Sequence, residues 1–234
     1  MHIFYTPQIA EGHCTLSEEE SKHCVKVLRL THGDEVTLVD GVGGYYNAEI
    51  DDPNPKHCTI SVKQKTENYG LRPYSIHIAI APTKNLDRIE WFLEKAVEIG
   101  IDEITPLICQ HSERRSVNSD RLEKIIQSAM KQSIKAYKPK LNDATPFCSF
   151  VKAQRQGSKL IAHCIDSDKF SLKSMACNER EYTVLIGPEG DFSQEEVNLA
   201  EQNGYKCVHL GPSRLRTETA GVVACHTINL MNQD

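Results

Sequence analysis

The chain has 234 residues, 39% hydrophobic and 25% charged, with 13 Gly and 10 Pro, which suits one large or two smaller globular domains and excludes a disordered or low-complexity polymer. No apolar run nears the ~18 residues that span a bilayer, and Met1-His2-Ile3-Phe4-Tyr5-Thr6-Pro7 lacks the regions of a signal peptide, so a cytoplasmic location is expected. The formal charge of −5, from 27 basic and 32 acidic side chains, argues as a total against a polyanion partner.

Residues 1–66 read as short strands around tight turns: 35–39, a turn at Gly41-Val42-Gly43-Gly44, 45–50, a turn at 51–55, and 58–62. A helix over 17–28 interrupts them, opened by Ser17-x-x-Glu20 as a capping box. Short strands in so few residues predict a small barrel over 1–68, and 66–73 reads as a linker. From residue 74 strands and helices alternate. The predicted strands are 75–81, 104–109, 160–165, 183–186 and 207–210. Between them come a helix from Asn85 or Asp87 to Gly100, one over 121–136, one from Ser193 to Gly204, and a last one over 218–231. That order predicts an α/β domain over 74–234 with a mainly parallel sheet.

The charge changes sign along the chain. Residues 114–140 hold 8 basic and 2 acidic side chains, a basic stretch inside an acidic average. Nine cysteines (14, 24, 58, 109, 148, 164, 177, 207 and 225) include no C-x-x-C pair, so buried reduced thiols are expected, with no disulfide framework and no metal site.

Two loops carry the chemical signal. Gly187-Pro188-Glu189-Gly190 and Gly211-Pro212-Ser213-Arg214 each follow a predicted strand and precede a helix, at the carboxyl edge of a parallel sheet where α/β ligands bind. The bland alternative is that Gly-Pro pairs merely turn the chain. Other sites fail: Gly41-Val42-Gly43-Gly44 lacks the third glycine of a dinucleotide loop, and neither a P-loop nor H-E-x-x-H occurs. By their residue surroundings alone, His111, His163 and His209 read as core or surface histidines.

The pair Ile186-Gly187-Pro188-Glu189-Gly190…Phe192-Ser193 and Leu210-Gly211…Leu215-Arg216-Thr217-Glu218-Thr219-Ala220 resembles the signature of the RsmE-type small-subunit (16S) rRNA uridine-N3 methyltransferases of the SPOUT superfamily. His23…Val27-Leu28-Arg29, Lys84…Arg88-Ile89-Glu90…Lys95-Ala96-Val97-Glu98-Ile99-Gly100, Glu113-Arg114-Arg115-Ser116 and Ala129…Gln132-Ser133 follow the family's order. The resemblance implies a PUA-like barrel (1–68), a SPOUT domain (74–234) with a C-terminal trefoil knot, bound S-adenosylmethionine, 16S rRNA or the small subunit as partner, and a homodimer. It places the cofactor among Ala162 and His163, then Ile186, Gly187, Pro188, Glu189 and Gly190, then Leu210, Gly211, Ser213, Leu215 and Thr219. Arg29, Arg88, Arg114, Arg115, Lys131 and Lys135 are the expected RNA contacts. The chain departs from the family pattern at Ser213-Arg214, where many members have Arg-Ile, at Asp191, where they have a second Gly, and at Ser128, Lys131 and Lys135.

Methylating uracil N3 requires removal of its proton and stabilisation of the developing enolate. Glu218 with Arg216 or Arg214, where the last loop enters its helix, is the expected catalytic set. The competing readings are a helix-capping carboxylate for Glu218 and, for Arg216, an ion pair with Glu189 or Glu218. A non-catalytic ribosome-assembly factor and a Mg2+-dependent phosphate-ester enzyme are the alternative functions.

Overall fold

The computed structural model describes every residue except Met1, Glu11, Asn178 and Asp234. It divides into two compact units, Met1–Leu71 with Gln127–Lys138, and Arg72–Ile126 with Pro139–Asp234.

The first unit holds a five-stranded sheet of β1 (Ile3–Tyr5), β2 (His13–Thr15), β3 (Glu35–Val39), β4 (Tyr45–Asp52) and β5 (Thr59–Thr66), in the order β1-β3-β4-β5-β2. Only the β1–β3 pairing is parallel. Along β4 the buried residues Tyr46, Ala48 and Ile50 alternate with outward ones, as a half-buried strand requires. They pack on Phe4, Leu16, Leu38 and Ile60. The predicted helix over 17–28 is two pieces: α1 (Glu18–Lys22) and a π-helical turn, His23–Val27. Ser17 Oγ accepts from Glu20 N at 3.3 Å, but the Glu20 carboxylate pairs with Lys131 instead of closing the capping box. The widened turn buries Cys24 beside Cys58 (Sγ to Sγ 3.9 Å) and leaves Val27 exposed. The expected linker is partly structured: Thr66 ends β5, and Tyr69 stacks on Tyr45 at 4.4 Å.

The second unit contains β6 (Ser75–Ile80), α2 (Leu86–Ile99), β7 (Glu103–Ile108), β8 (Lys140–Leu141), β9 (Thr145–Pro146), α4 (Phe147–Lys152), β10 (Ser158–Ala162), β11 (Phe170–Ser171), α5 (Leu172–Met175), β12 (Glu181–Ile186), α6 (Gln194–Gln202), β13 (Lys206–His209) and α7 (Thr217–Asn232). Helix α3 (Ser119–Gln132) contributes residues to both units. The sheet order is β11-β13-β10-β12-β6-β7-β8, with β9 also on β7, and every pairing is parallel. In α2, Asn85 Oδ1 accepts from Asp87 N at 3.1 Å, Ile89, Phe92, Leu93, Ala96 and Val97 are buried, and Gly100 ends the helix at φ 119°. Burial of each of the four larger of these apolar side chains stabilises the fold by about 1.5–3 kcal/mol. Helix α7 packs on α2 through Gly221, where a Cβ would stand 2.6 Å from the Phe92 ring.

Three predicted boundaries move. Helix α3 stops at Gln132, not Ala136, because Ile134 turns into the left-handed region at φ 57°. Strand β10 stops at Ala162, not Ile165, because Cys164 N donates to the Asp191 carboxylate and not to a neighbouring strand. Strands of two residues and helices α4 and α5 are too short for periodicity to reveal. All nine cysteines are free thiols, but only six are buried; Cys148 and Cys164 are exposed and Cys177 is half-buried.

Candidate active site

Strands β13, β10 and β12 are adjacent, with Ile161 opposite both Leu185 and Cys207. Their carboxyl ends therefore release three loops side by side, and these enclose a cavity of about 530 Å³. Ala162 and His163 line it from the first loop, Ile186, Gly187, Pro188 and Glu189 from the second, and Leu210, Gly211, Ser213 and Leu215 from the third. Gly190 lies outside this lining, where a Cβ would meet His111 at 3.2 Å, and Thr219 lines an adjoining cavity. Two bonds fix the walls to the scaffold. Thr217 Oγ1 donates to the Gly187 carbonyl at 3.1 Å, and Lys84 N donates to Glu189 Oε1 at 2.9 Å.

Asp191, where the family pattern has glycine, sits in the left-handed region at φ 64°. Its Oδ2 accepts from Cys164 N at 2.7 Å, its Oδ1 accepts from Phe192 N at 2.8 Å, and its own N–H closes a turn on the Pro188 carbonyl at 2.9 Å. The carboxylate thus ties the first loop to the second, which offsets a strained conformation that Asp tolerates better than most residues.

His163, read from its surroundings as a core or surface histidine and from the resemblance as a cofactor contact, is a core residue that also lines the cavity. It is buried, and neither ring nitrogen has a hydrogen-bond partner among the described residues. Burial, then the Lys169 ammonium, holds the imidazole below its ordinary value of 6.5 against the opposing pull of Asp191, Glu201 and the nearby Ile165 carbonyl. The ring lines the cavity with both nitrogens buried beneath its surface. His209 accepts locally from Gly211 N at 3.3 Å, and His111 lies on the Asp191 carbonyl at 3.1 Å.

Arg216 is the N-cap residue of α7 and gives it no side-chain cap. Glu218, in the first turn, is only 6% exposed. Its Oε2 is buried without a hydrogen-bond partner, and its Oε1 lies 3.9 Å from Arg88 Nε. Neither Glu189 nor Glu218 pairs with Arg216: the first caps the Lys84 amide and the second faces Arg88. Arg214 and Arg216 are exposed and line both cavities. Arg88, expected on RNA, is therefore the neighbour of the candidate base, which sequence spacing does not reveal across 130 residues.

The other basic candidates differ in their commitments. Arg114 donates to the Lys84 carbonyl at 3.1 Å and Arg115 to the Gln110 carbonyl at 3.3 Å, while Arg121 pairs with Glu90 (2.7 Å). In the first unit Arg29 adopts φ 58°, Lys131 is paired with Glu20, and Lys135 follows the end of α3. Among the described residues no group of His, Cys, Asp and Glu is placed to hold a metal, and no helix is long and apolar enough to cross a membrane.

The family profile described as the RNA methyltransferase domain matches residues 71–229, and that of the RNA methyltransferase PUA domain matches 16–63. The ribosomal RNA small subunit methyltransferase E of Rickettsia conorii is 29% identical over 98% of this chain and 95% of its own length. A solved structure of a probable rRNA-methyltransferase from Porphyromonas gingivalis is 40% identical, with a TM-score of 0.92 over 99% of this chain and 98% of that one. The small subunit methyltransferase E of Neisseria gonorrhoeae, solved bound to S-adenosyl methionine, is 25% identical, with a TM-score of 0.87 over 96% and 95% of the two chains. With its three loops at the edge of a parallel sheet and both domain profiles in their order, the chain belongs to the ribosomal RNA small subunit methyltransferase E family of RNA methyltransferases.

Proposed function

We propose that the protein is an S-adenosylmethionine-dependent methyltransferase acting on N3 of a specific uridine in 16S rRNA, on the assembled small subunit. The observation that carries the reading is Glu218: a buried carboxylate with one unpartnered oxygen, lining a cavity that shares the exposed Arg214 and Arg216 with the cofactor cavity.

The cavity residues fit the cofactor. A volume of about 530 Å³ lies within the ~300–1,000 Å³ common for small-molecule sites. Ile186, Leu210, Leu215 and the His163 ring offer walls to an adenine. Ala162, Gly187, Pro188, Glu189, Gly211 and Ser213 complete the enclosure, with Gly190 and Thr219 supporting it from outside. S-adenosylmethionine, when bound, supplies an electrophilic methyl group.

Glu218 Oε2 accepts the N3 proton, which leaves a nucleophilic nitrogen and negative charge shared with O2 and O4 of the ring. Arg216 and Arg214 stabilise that charge, and Arg88 balances the glutamate. A positioned general base contributes ~10²–10⁴-fold, and a fixed charge partner ~10²–10³-fold. Residues 1–68 act as a PUA-like RNA-holding domain, and Arg29, Arg88, Arg114, Arg115, Lys131 and Lys135 contact the rRNA. The parallel placement of β10 between the later strands β12 and β13 supports a trefoil-knotted C-terminal domain (74–234). A homodimer and a cytoplasmic location complete the reading and rest on the family resemblance.

Transfer of a tritiated methyl group to purified small subunits, followed by nucleoside analysis, is the test. The expected product is 3-methyluridine, with transfer to free 16S rRNA weaker. Calorimetry that detects no cofactor binding would leave only an RNA-holding protein.

A further inference from the structure

The cavity that adjoins the cofactor site measures about 570 Å³ and is bounded by Asp87, Arg88, Trp91, Arg214, Leu215, Arg216, Glu218 and Thr219. Arg214, Leu215 and Arg216 line it and the cofactor cavity alike, so occupants of the two are near neighbours, as in-line transfer requires. Three features of its wall point to a nucleobase. Trp91, which lines the cavity, is 43% exposed, an unusual state for the largest aromatic side chain. It stands one helical turn after Arg88 on α2, on the same face. Opposite in charge to Arg88, Glu218 contributes a buried acceptor with no partner in the protein.

We propose that this cavity is the subsite for the target base, with the ring stacked on Trp91 and its N3 edge turned to Glu218. The proposal rests on the methyltransferase reading above and adds to it a positioning residue and a basis for choosing the base. An ionised carboxylate oxygen can only accept a hydrogen bond. Uracil N3–H donates to it, whereas cytosine N3 presents a second lone pair and leaves both acceptors unpaired. Rejection of that kind is stronger than rejection by shape, because a buried polar group is left unsatisfied. Stacking of a base on an aromatic ring is sequence-tolerant, so Trp91 supplies affinity and Glu218 supplies the choice.

Trp91 is the only tryptophan of the chain, so its intrinsic fluorescence reports this cavity alone. Titration of the cofactor-loaded protein with a short oligouridine is expected to quench the indole saturably, and oligocytidine at least ten-fold less effectively. Glu218→Gln, whose amide can donate as well as accept, should bring the two oligonucleotides together without abolishing quenching. Trp91→Leu should raise KM for small subunits about ten-fold or more, with cofactor affinity by calorimetry unchanged and Trp91→Phe restoring most of the loss. Fluorescence blind to oligouridine, a blue shift that follows protein concentration alone, or an unaltered KM in Trp91→Leu would each overturn the subsite. Methyl transfer that proceeds while the indole ignores RNA refutes only the subsite; quenching without any methyl transfer refutes only the methyltransferase reading.

Discussion

Helices α6 and α7 begin alike, each after a buried parallel strand and a Gly-Pro loop, and each with a buried glutamate in its first turn. Their glutamates have opposite fates. Glu196, 7% exposed, is consumed by the backbone: Oε2 accepts from Ser193 N at 3.0 Å and Oε1 from Gln110 N at 2.8 Å, while Ser193 Oγ accepts from Glu196 N. Glu218, 6% exposed, spends neither oxygen on an amide, and Arg216 offers no cap. An unmet buried oxygen costs about 1–3 kcal/mol. The fold tolerates that cost at α7 and avoids it at α6, which separates a residue kept for a ligand from one kept for architecture.

The largest expected effect breaks this pair apart by function. Glu218→Gln should lower methyl transfer ~10²–10⁴-fold, while the melting temperature stays nearly level, since the pairing it gives up with the half-buried Arg88 is long, at 3.9 Å, and the isostere relieves a buried charge. Glu196→Ala should do the reverse. It strips partners from the Ser193 and Gln110 amides, and at about 1–3 kcal/mol for each buried donor left unsatisfied the unfolding free energy falls measurably in urea. Wild-type turnover in Glu218→Gln, or a stable Glu196→Ala, would erase the distinction.

The contrast also marks what could be read from sequence. Ser193-x-x-Glu196 is a local signal, and the structure forms both halves of that box; the same holds for Asn85 and Gly100 at the ends of α2. The glycine loops after β12 and β13 are likewise local, so their place at one sheet edge follows from strand order. Ser17-x-x-Glu20 shows the limit, because a lysine 111 residues away takes its glutamate. The Glu218–Arg88 contact and the Asp191–Cys164 tie depend on chain segments brought together only by folding. The pairing of Arg88 with Glu218 and the buried ring nitrogens of His163 are hidden in the sequence for the same reason: spacing along a chain carries no record of an unpartnered atom.

Asp191 gives a smaller effect of mixed sign. Asp191→Gly removes the left-handed strain at φ 64° but also the two bonds that hold the Cys164 amide and the Phe192 amide. Strain relief and tie loss are each of order 1 kcal/mol, so the melting temperature should hardly move. Cofactor affinity measured by calorimetry should still weaken several-fold, because the glycine frees the loop that carries His163. Asp191→Asn, which keeps one acceptor oxygen and gains a donor, should fall between the two. Equal cofactor affinity in all three proteins would show that the loop is held by something other than this carboxylate.

The smallest effect comes from making α7 resemble α6. Arg216→Ser places a capping hydroxyl at the N-terminus of a helix that has none, within reach of the amides two and three residues on. A cap contributes about 0.5–2 kcal/mol, and each kcal/mol raises the melting temperature of a chain this size by roughly 2–4 °C. The same change withdraws a guanidinium that lines both cavities, so the protein should gain a few degrees while methyl transfer declines. Arg216→Lys separates the two contributions: it restores a positive charge without a cap, so it should recover part of the activity and none of the added stability. A variant that gains stability with activity intact would mean that α7 lacks a cap for reasons unrelated to catalysis. If stability and activity instead move in opposite directions, the bare start of α7 belongs to the active site.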